Sequence, residues 1–277
     1  MKHLTFLLLF SLRMGLLFGQ NDFSFVYLPD LHLRNDSLVK ANFNHLEKRI
    51  NHLKPDFVIT GGDMIYTAKN VDDNKAVVLF DLMDKELGLF RMPVRLTMGN
   101  HETVGITAES GIDKKNPNWG KRMYEKRYGN PYYSFMHEGW KFFILDGIKI
   151  LEKEKNYTQG VDSAQMEWIR KELGNTDKKI PLVISIHTPL INPGAMTEPK
   201  SQALSENANT VLNLFKDHNL KMVLQGHNHT YMNLFINGMY FLSGGSAASG
   251  TDRENYGFLF IKVHHDNENI RFIRLLK

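Results

Sequence analysis

Pro93-Val94-Arg95-Leu96-Thr97-Met98 is a mostly apolar run that ends in the polar motif Gly99-Asn100-His101-Glu102. The run predicts a buried strand, and the motif predicts a loop that carries an amide oxygen and an imidazole. Twice before it, a strand pattern ends in a polar exit and is followed by a helix pattern. Parallel units of this kind bring their strand exits to one edge of the sheet, where ligands bind. Other polar exits should therefore meet Asn100 and His101.

The elements before this motif form a β-α-β-α-β pattern. Strands are predicted at Phe23–Leu28, Phe57–Thr60 and Val94–Met98, and helices from Asn35 or Asp36 to about Leu53 and over about Asp72–Leu89. Thr103–Pro131 follows as a long polar insertion, a length that is usually functional or mobile in a compact domain.

In the second half of the chain, strand and helix patterns alternate as far as Met222–Leu224, and from Tyr231 to the end only strand patterns follow. Strands are predicted at Tyr132–Phe135, Lys141–Asp146, Leu182–Ile186, Met222–Leu224, Tyr231–Ile236, Met239–Ser243, Tyr256–His264 and Ile270–Leu276, with helices at Ser163–Leu173 and near Glu206–Asp217. We therefore expect an α/β or α+β chain with two packed mixed sheets and helices outside.

Length and composition favour one large domain, residues 21–277, since 277 residues with 42% hydrophobic content can bury a full core. The absence of cysteine excludes disulfides, thiolate metal sites and cysteine nucleophiles.

The formal charge of +4 falls to +2 if Lys2 and Arg13 leave with a leader, and the basic pairs are scattered among acids. This distribution carries no nucleic-acid signature. Nothing in the sequence indicates an oligomeric state.

Residues 1–20 have the pattern of a secretory signal peptide. A short basic start, Met1-Lys2-His3, precedes the apolar stretch Leu4–Phe18, and Gly19 is a small residue at the expected cleavage point. Arg13 interrupts a stretch that would need about 20 apolar residues to span a membrane. We expect export to the periplasm or the medium, with no membrane span after cleavage. A buried N-terminal element and an uncleaved anchor are the alternatives.

The polar residues at the predicted strand exits have the chemistry of a metal site. They are Asp30, His32, Asp63, Asn100, His101, His187, His227 and His229. Carboxylate, amide and imidazole donors without thiolate suit Mn, Fe, Co, Ni or Zn better than Ca. With His101 set aside, seven candidate ligands are too many for one ion, and two ions that share Asp63 would use them. Two divalent ions with two carboxylates keep an excess of positive charge, which favours an anionic phosphate.

These strings resemble the five ordered motifs of the calcineurin-like metallophosphoesterases. The motifs are Asp30-x-His32, Gly62-Asp63, Gly99-Asn100-His101-Glu102, His187 after a strand, and Gly226-His227-x-His229, within about Phe23–Leu242. The Asp-x-His opening and the compact length are most similar to the cyclic-nucleotide phosphodiesterase branch. The resemblance implies a four-layer αββα sandwich that hydrolyses small phosphomonoesters or phosphodiesters.

The resemblance also implies a role for each motif residue. One metal ion would be held by Asp30, His32, Asp63 and His229, and the other by Asp63, Asn100, His187 and His227. The two divalent transition-metal ions would be Mn, Fe, Zn or Co. A hydroxide that bridges them would be the nucleophile, and His101 would be the general acid that protonates the leaving group.

The second motif departs from the family pattern. Many members have Gly-Asp-x-x-Asp, in which the second Asp hydrogen-bonds the catalytic imidazole, whereas this chain has Tyr66 at that place. Such a Tyr resembles the purple acid phosphatases, where it is a phenolate ligand to ferric iron. Those enzymes lack the first-motif histidine, and His32 is present here. We expect His32 to be the ligand and Tyr66 to be a neighbour of the site.

Other interpretations remain open from the sequence alone. Glu102 is expected to be a structural acid instead of a ligand. Trp119, Lys121, Arg122 and Tyr124 either contact the substrate or pack the insertion, and Asn228 and Tyr231 are candidates to line the pocket. A non-catalytic metal-binding or scaffold protein of the same fold and a secreted nuclease are the alternative functions.

Overall fold

A computed structural model describes residues 22–197, 204–246, 248, 255–264 and 267–275 of the chain. The predicted signal peptide, residues 1–20, lies outside the described residues. Within the described ranges, no helix combines the length and the apolar character that a membrane span requires.

Strands make up most of the regular structure. In chain order they are β1 (Phe23–Leu28), β2 (Phe57–Thr60), β3 (Val94–Arg95), β4 (Tyr133–His137), β5 (Trp140–Leu145), β6 (Ile148–Leu151), β7 (Asn156–Gln159), β8 (Pro181–Ile186), β9 (Asn219–Gln225), β10 (Tyr231–Ile236), β11 (Met239–Gly244), β12 (Gly257–His264) and β13 (Asn267–Arg274). The helices are α1 (Ser37–Leu53), α2 (Asp73–Leu87), α3 (Arg122–Tyr128), α4 (Ser163–Gly174), α5 (Gly194–Thr197) and α6 (Ala208–Leu214).

The strands form two large mixed sheets and a separate hairpin. The first sheet has the order β13-β12-β1-β2-β3 and the second has the order β10-β11-β9-β8-β5-β4, while β6 and β7 pair only with each other. In the first sheet β1, β2 and β3 are parallel, and in the second β5, β8, β9 and β11 are parallel. The remaining neighbours are antiparallel. The predicted two mixed sheets are confirmed.

Alternating side chains on β1 show how the first sheet is covered. Val26 and Leu28 belong to a hydrophobic cluster with residues of α1 and α2, such as Phe43 and Phe80. Phe25 and Tyr27 point to the other face, into the cluster that lies between the two sheets. Because successive strand residues face opposite sides of a sheet, one strand contributes to two core layers.

The second sheet is built in the same way. Phe142 of β5 packs in the cluster between the sheets, and its ring centroid lies 5.6 Å from that of Phe25. Phe143, the next residue, packs on the outer side with Ile169 of α4 and Val211 of α6. The order of layers is therefore helices, sheet, sheet, helices, as the αββα prediction requires.

Helix α1 shows why the helices begin and end where they do. Asp36 caps it, because its Oδ1 accepts hydrogen bonds from the backbone N–H groups of Leu38 at 2.9 Å and Val39 at 3.0 Å. Its buried face has helical spacing, and the helix ends where Lys54 adopts a left-handed conformation before Pro55.

Details of the sequence prediction differ from the structure, and three of them bear on the site or its surroundings. Strand β3 is shorter than the predicted Val94–Met98. Thr97 does not pair with a neighbouring strand: its N–H donates to Oγ1 of Thr60 at 3.1 Å, and its hydroxyl lies 2.7 Å from Oγ of Ser185. The polar insertion contains the helix α3. The β6–β7 hairpin was not predicted.

Candidate functional site

The eight residues selected from the sequence come together at one edge of the two sheets. Asp30 and His32 follow β1, Asp63 follows β2, Asn100 and His101 follow β3, His187 follows β8, and His227 and His229 follow β9. All five strands are parallel members of their sheets, so their carboxyl ends converge. None of the eight lies apart from the others.

The loops that carry these residues have an unusual backbone. A left-handed conformation occurs at Asp30 (φ 55°), His32 (φ 48°), Asp63 (φ 52°), His227 (φ 71°) and His229 (φ 54°). Each such residue costs about 1–2 kcal/mol relative to a right-handed conformation, and such strain clusters at functional sites. Backbone hydrogen bonds between the first two motifs hold it in place, from Asp30 N–H to Gly62 O at 3.0 Å and from His32 N–H to Asp63 O at 2.9 Å.

Glu102 organises the loop around Asp63. Its Oε2 accepts hydrogen bonds from the N–H groups of Gly99 at 2.7 Å and Asp63 at 3.0 Å. Its Oε1 accepts from Met64 at 2.7 Å and Ile65 at 3.2 Å. Burial raises the pKa of Glu102 to about 7 and the Asp63 charge adds to the shift, while hydrogen bonds from Gly99 and Ile65 oppose it. Glu102 therefore orders two motifs at once, as a structural acid.

One donor cluster consists of Asp30, His32 and His229. Nε2 of His32 lies 2.9 Å from Nε2 of His229, which in turn lies 3.5 Å from Oδ1 of Asp30. Burial lowers the pKa of His32 to about 3, so this ring is neutral at pH 7. Burial also lowers the pKa of His229. Two neutral imidazole nitrogens at this separation can share at most one proton, whereas a cation would accept both lone pairs.

A second donor cluster surrounds His187. Its Nδ1 donates to Gly61 O at 2.8 Å, which directs Nε2 toward Oδ2 of Asp63 at 3.3 Å, Oδ1 of Asn100 at 3.2 Å and Nδ1 of His227 at 3.1 Å. Burial alone would lower the pKa of His187, but the Asp63 carboxylate raises it to about 9. This position therefore attracts positive charge.

Asp63 lies between the two clusters. Besides its contact with His187, its Oδ2 is 3.9 Å from Nε2 of His32 and 3.8 Å from Nε2 of His101. Although burial opposes ionisation, the charge of His187 lowers the pKa of Asp63 well below its usual value. Groupings able to hold a metal ion are Asp30 with His32 and His229, His32 with Asp63 and His101, and Asp63 with His187 and His227. The donor set thus fits divalent transition metals.

His101 is oriented by the backbone instead of by an acid. The ring Nδ1 of His101 donates to the carbonyl oxygen of Tyr66. The backbone N–H of His101 donates to Oδ1 of Asp63 at 2.9 Å. The Tyr66 side chain is 49% exposed, and the guanidinium carbon of Arg34 lies 4.9 Å from its ring centroid. The side chain that replaces the usual Asp is therefore not needed to hold the imidazole.

Two further contacts come from the β6–β7 hairpin, which no sequence pattern indicates. The side-chain amide of Gln159, on β7, lies 3.1 Å from Nε2 of His227. Tyr157, two residues earlier on the same strand, has the ammonium of Lys69 5.3 Å from its ring centroid. No local pattern in Asn156–Gln159 predicts a strand, and its proximity to the site arises only from the fold.

The residues of the insertion pack the domain. Lys121 forms an ion pair with the buried Asp146, and Tyr124 is buried. Arg122 donates to the carbonyl oxygens of Lys114 at 2.8 Å and Asn116 at 2.9 Å. The packing interpretation fits these residues.

Asn228 and Tyr231 together border a cavity of about 280 Å³ beside Gly226. None of the eight donor residues lines this cavity. That Asn228 and Tyr231 line the pocket of the metal site stays a prediction.

Three solved structures with the same fold illustrate the similarity. A dimetal phosphatase from Danio rerio, LOC 393393, has a TM-score of 0.68 and 14% identity, over 90% of this chain and 95% of that chain. GAP50 of Plasmodium, described as the anchor in the inner membrane complex, has a TM-score of 0.57 and 16% identity, over 92% and 85%. PhoD has a TM-score of 0.54 and 15% identity, over 92% and 69%.

Comparison at the level of sequence assigns the family. No curated protein sequence matches the chain significantly. The sequence model of the calcineurin-like phosphoesterases matches residues 23–231, which contain all eight site residues. The chain therefore belongs to the calcineurin-like phosphoesterase family and is a metallophosphoesterase.

Proposed function

We propose that the protein hydrolyses phosphomonoesters or phosphodiesters with a dinuclear metal centre. The observation that carries this proposal is the position of Asp63 between two donor clusters, with its Oδ2 3.9 Å from Nε2 of His32 and 3.3 Å from Nε2 of His187. A single carboxylate placed in this way can serve two ions.

The proposed ligands are divided between the two ions. Asp30, His32, Asp63 and His229 would hold one ion, and Asp63, Asn100, His187 and His227 would hold the other. When bound, two ions of Mn, Fe, Zn or Co would supply positive charge for the phosphoryl oxygens and lower the pKa of an attacking water. Asp30 and Asp63 are both buried, so their charges need compensation of this kind.

His101 is the proposed general acid. Its Nε2 lies 3.8 Å from Oδ2 of Asp63, while its Nδ1 is occupied by the Tyr66 carbonyl. The ring is thus held with one nitrogen toward the centre. To act as an acid the ring must also carry a proton on Nε2. As water adds to phosphorus and loses a proton to solvent, and the bond to the leaving group breaks, Nε2 would give its proton to the leaving oxygen and then regain one from solvent.

Two substitutions separate metal binding from proton transfer. Asp63→Ala should lose bound metal and turnover of 4-nitrophenyl phosphate and its bis ester, whereas His101→Ala should keep the metal and lose turnover by about 10²–10⁴-fold. Metal content is measured by mass spectrometry on dialysed protein. The exposed His45, changed to Ala, is the control. Full turnover in both site variants would refute the mechanism.

A non-catalytic role in binding or anchoring is the second candidate. The anchor GAP50 shares the fold, so the fold alone does not separate the two functions. The complete donor set in this chain favours catalysis, because a protein that only anchors has no need of it. Metal-loaded protein that is inert on monoesters and diesters would support anchoring.

Export is also proposed, from the basic and apolar pattern of residues 1–20. Cell fractionation and N-terminal sequencing of the purified protein would test it. A chain that starts near Asn21 is expected, and a cytoplasmic chain that retains Met1 would contradict export.

A further inference from the structure

Lys69 is a half-buried cation next to the proposed general acid. The residue before it, Ala68, donates its N–H to the carbonyl oxygen of His101 at 2.8 Å, and the carbonyl oxygen of Lys69 itself accepts from Thr107 N–H at 3.1 Å. Burial lowers the pKa of Lys69, and the Asp63 carboxylate opposes the shift. The backbone of Lys69 is thus fixed on the His101 side of the site.

The ammonium of Lys69 has no acidic partner among the residues that the structure describes. Some other half-buried lysines in those ranges do have acidic partners: Lys121 pairs with Asp146, and Lys141 pairs with Glu172 at 2.8 Å. A half-buried cation usually needs an anion to offset its lost hydration. An unpaired lysine at the mouth of a phosphoesterase site is therefore suited to an anion that arrives with the substrate.

Tyr157 positions this ammonium. The Lys69 nitrogen lies 5.3 Å from the Tyr157 ring centroid, within the range of a cation–π contact. The phenol hydroxyl makes no hydrogen bond within the described part of the chain, which leaves it free to donate. Strand β7 places Tyr157 beside the donor clusters, because Gln159, two residues after Tyr157 on the same strand, contacts His227.

We propose that Lys69 and Tyr157 form a subsite for a second phosphate group, one carried by the leaving group of the substrate. The inference rests on the proposed function and narrows its substrate class to phosphate esters or anhydrides with a phosphorylated leaving group. Lys69 supplies a charge and Tyr157 a hydroxyl donor, and both lie on the side where His101 meets the leaving oxygen. Hydrogen bonds to charged groups are strong enough to set such a preference.

The first test compares two non-hydrolysable ligands, methylenebisphosphonate and methylphosphonate, by calorimetry on the metal-loaded protein. Lys69→Met should weaken binding of the bisphosphonate roughly tenfold and change binding of the monophosphonate by less than about twofold. Lys69→Arg should retain most of the bisphosphonate affinity, and Tyr157→Phe should lose part of it. An equal loss for both ligands, or none for either, would overturn the subsite.

Lys262→Met is the matched control. The Lys262 nitrogen lies 5.4 Å from the Phe260 ring centroid, and its strand position faces Ser24 near the start of β1, at the end of the sheet away from the site. This variant should bind both ligands like the original protein. Thermal melting of each variant checks that the fold is intact.

A second measurement separates this inference from the proposed function. KM and kcat are compared for inorganic pyrophosphate and 4-nitrophenyl phosphate, with a raised KM expected only for pyrophosphate in Lys69→Met. If the unmodified loaded protein hydrolyses neither compound nor the bis ester, the proposed function fails, while the calorimetry still tests the subsite. If it hydrolyses nitrophenyl phosphate and the variant treats both substrates alike, only the subsite is refuted.

Discussion

The carboxylate of Glu102 accepts a hydrogen bond at 3.0 Å from the backbone N–H of Asp63, the residue that lies between the two donor clusters. The same carboxylate bonds Gly99, three residues before it, so that the second and third motifs share one acceptor. Glu102 is completely buried and has no role as a ligand in this arrangement. Glu102 therefore fixes the backbone position of Asp63, and the Asp63 carboxylate contacts a histidine of each donor cluster.

Glu102→Gln tests this role. The amide keeps one oxygen, and its NH₂ group would face two of the N–H donors that the carboxylate now accepts. Because buried unsatisfied donors cost about 1–3 kcal/mol each, we expect the free energy of unfolding to fall by at least about 2 kcal/mol in urea titrations, together with weaker metal binding. Glu154→Gln, at an exposed position, should change neither. Unchanged stability would show that the four hydrogen bonds are dispensable.

Gln159→Leu is expected to weaken metal binding without unfolding the protein. Burial lowers the pKa of His227 to about 3, so this ring is neutral at pH 7. Its Nδ1 faces His187, and the Gln159 amide contacts Nε2. With the amide oxygen turned toward Nε2–H, Gln159 would hold the proton on Nε2 and leave Nδ1 free for a metal ion. Loss of such a partner typically costs 10–100-fold in metal affinity. Competition with a chelating dye measures it. Thr158→Val, whose hydroxyl instead bonds Glu206 at 3.2 Å, is the neighbouring control.

Tyr66→Phe should leave turnover and metal content nearly unchanged. The phenol is half exposed beneath Arg34, and only the backbone carbonyl of Tyr66 contacts His101. Visible spectroscopy of the iron-loaded protein provides a direct measurement. A strong charge-transfer band that disappears in the variant would show that the phenol is a ligand after all.

Removal of metal should lower the melting temperature. Asp30 and Asp63 are buried close together, and the charge of Asp63 adds to the burial that raises the pKa of Asp30. Ions that bind only the folded chain stabilise it by about 2.7 kcal/mol at 100 times their dissociation constant. Calorimetric scans with EDTA and with added Mn or Zn should differ by several degrees, and Asp63→Ala should lose most of this difference.

The sequence predicted the site better than its surroundings, for a physical reason. Asp30, Asp63 and His187 each follow a buried parallel strand, and strand exits of parallel units meet at one edge whatever the loops do. Lys69, Tyr157 and Gln159 had no such signal, because their positions depend on how a hairpin packs against loops distant in sequence. The predicted strand β3 is too long because Thr97 forms hydrogen bonds with the side chains of Thr60 and Ser185 instead of backbone hydrogen bonds with a neighbouring strand.

Gly99→Ala should lower both the stability of the fold and the affinity for metal, because the added methyl group collides with Asp63. A Cβ at this position would lie 2.3 Å from both the backbone nitrogen and Oδ1 of Asp63, so the Asp63 loop must move to admit it. Overpacking of this kind costs about 1–3 kcal/mol, and we expect the free energy of unfolding to fall by that amount. Metal affinity should fall as well, because the displaced carboxylate is the one that both ions would share.

Gly174→Ala is the matched control for this substitution. A Cβ at Gly174, the last residue of α4, meets nothing within 4 Å, and alanine is favoured over glycine in a helix by about 0.5–1 kcal/mol. This variant should melt at the same temperature or higher and keep full metal content. If Gly99→Ala behaved like Gly174→Ala in both measurements, the close contact between Gly99 and Asp63 would not be what positions the shared carboxylate.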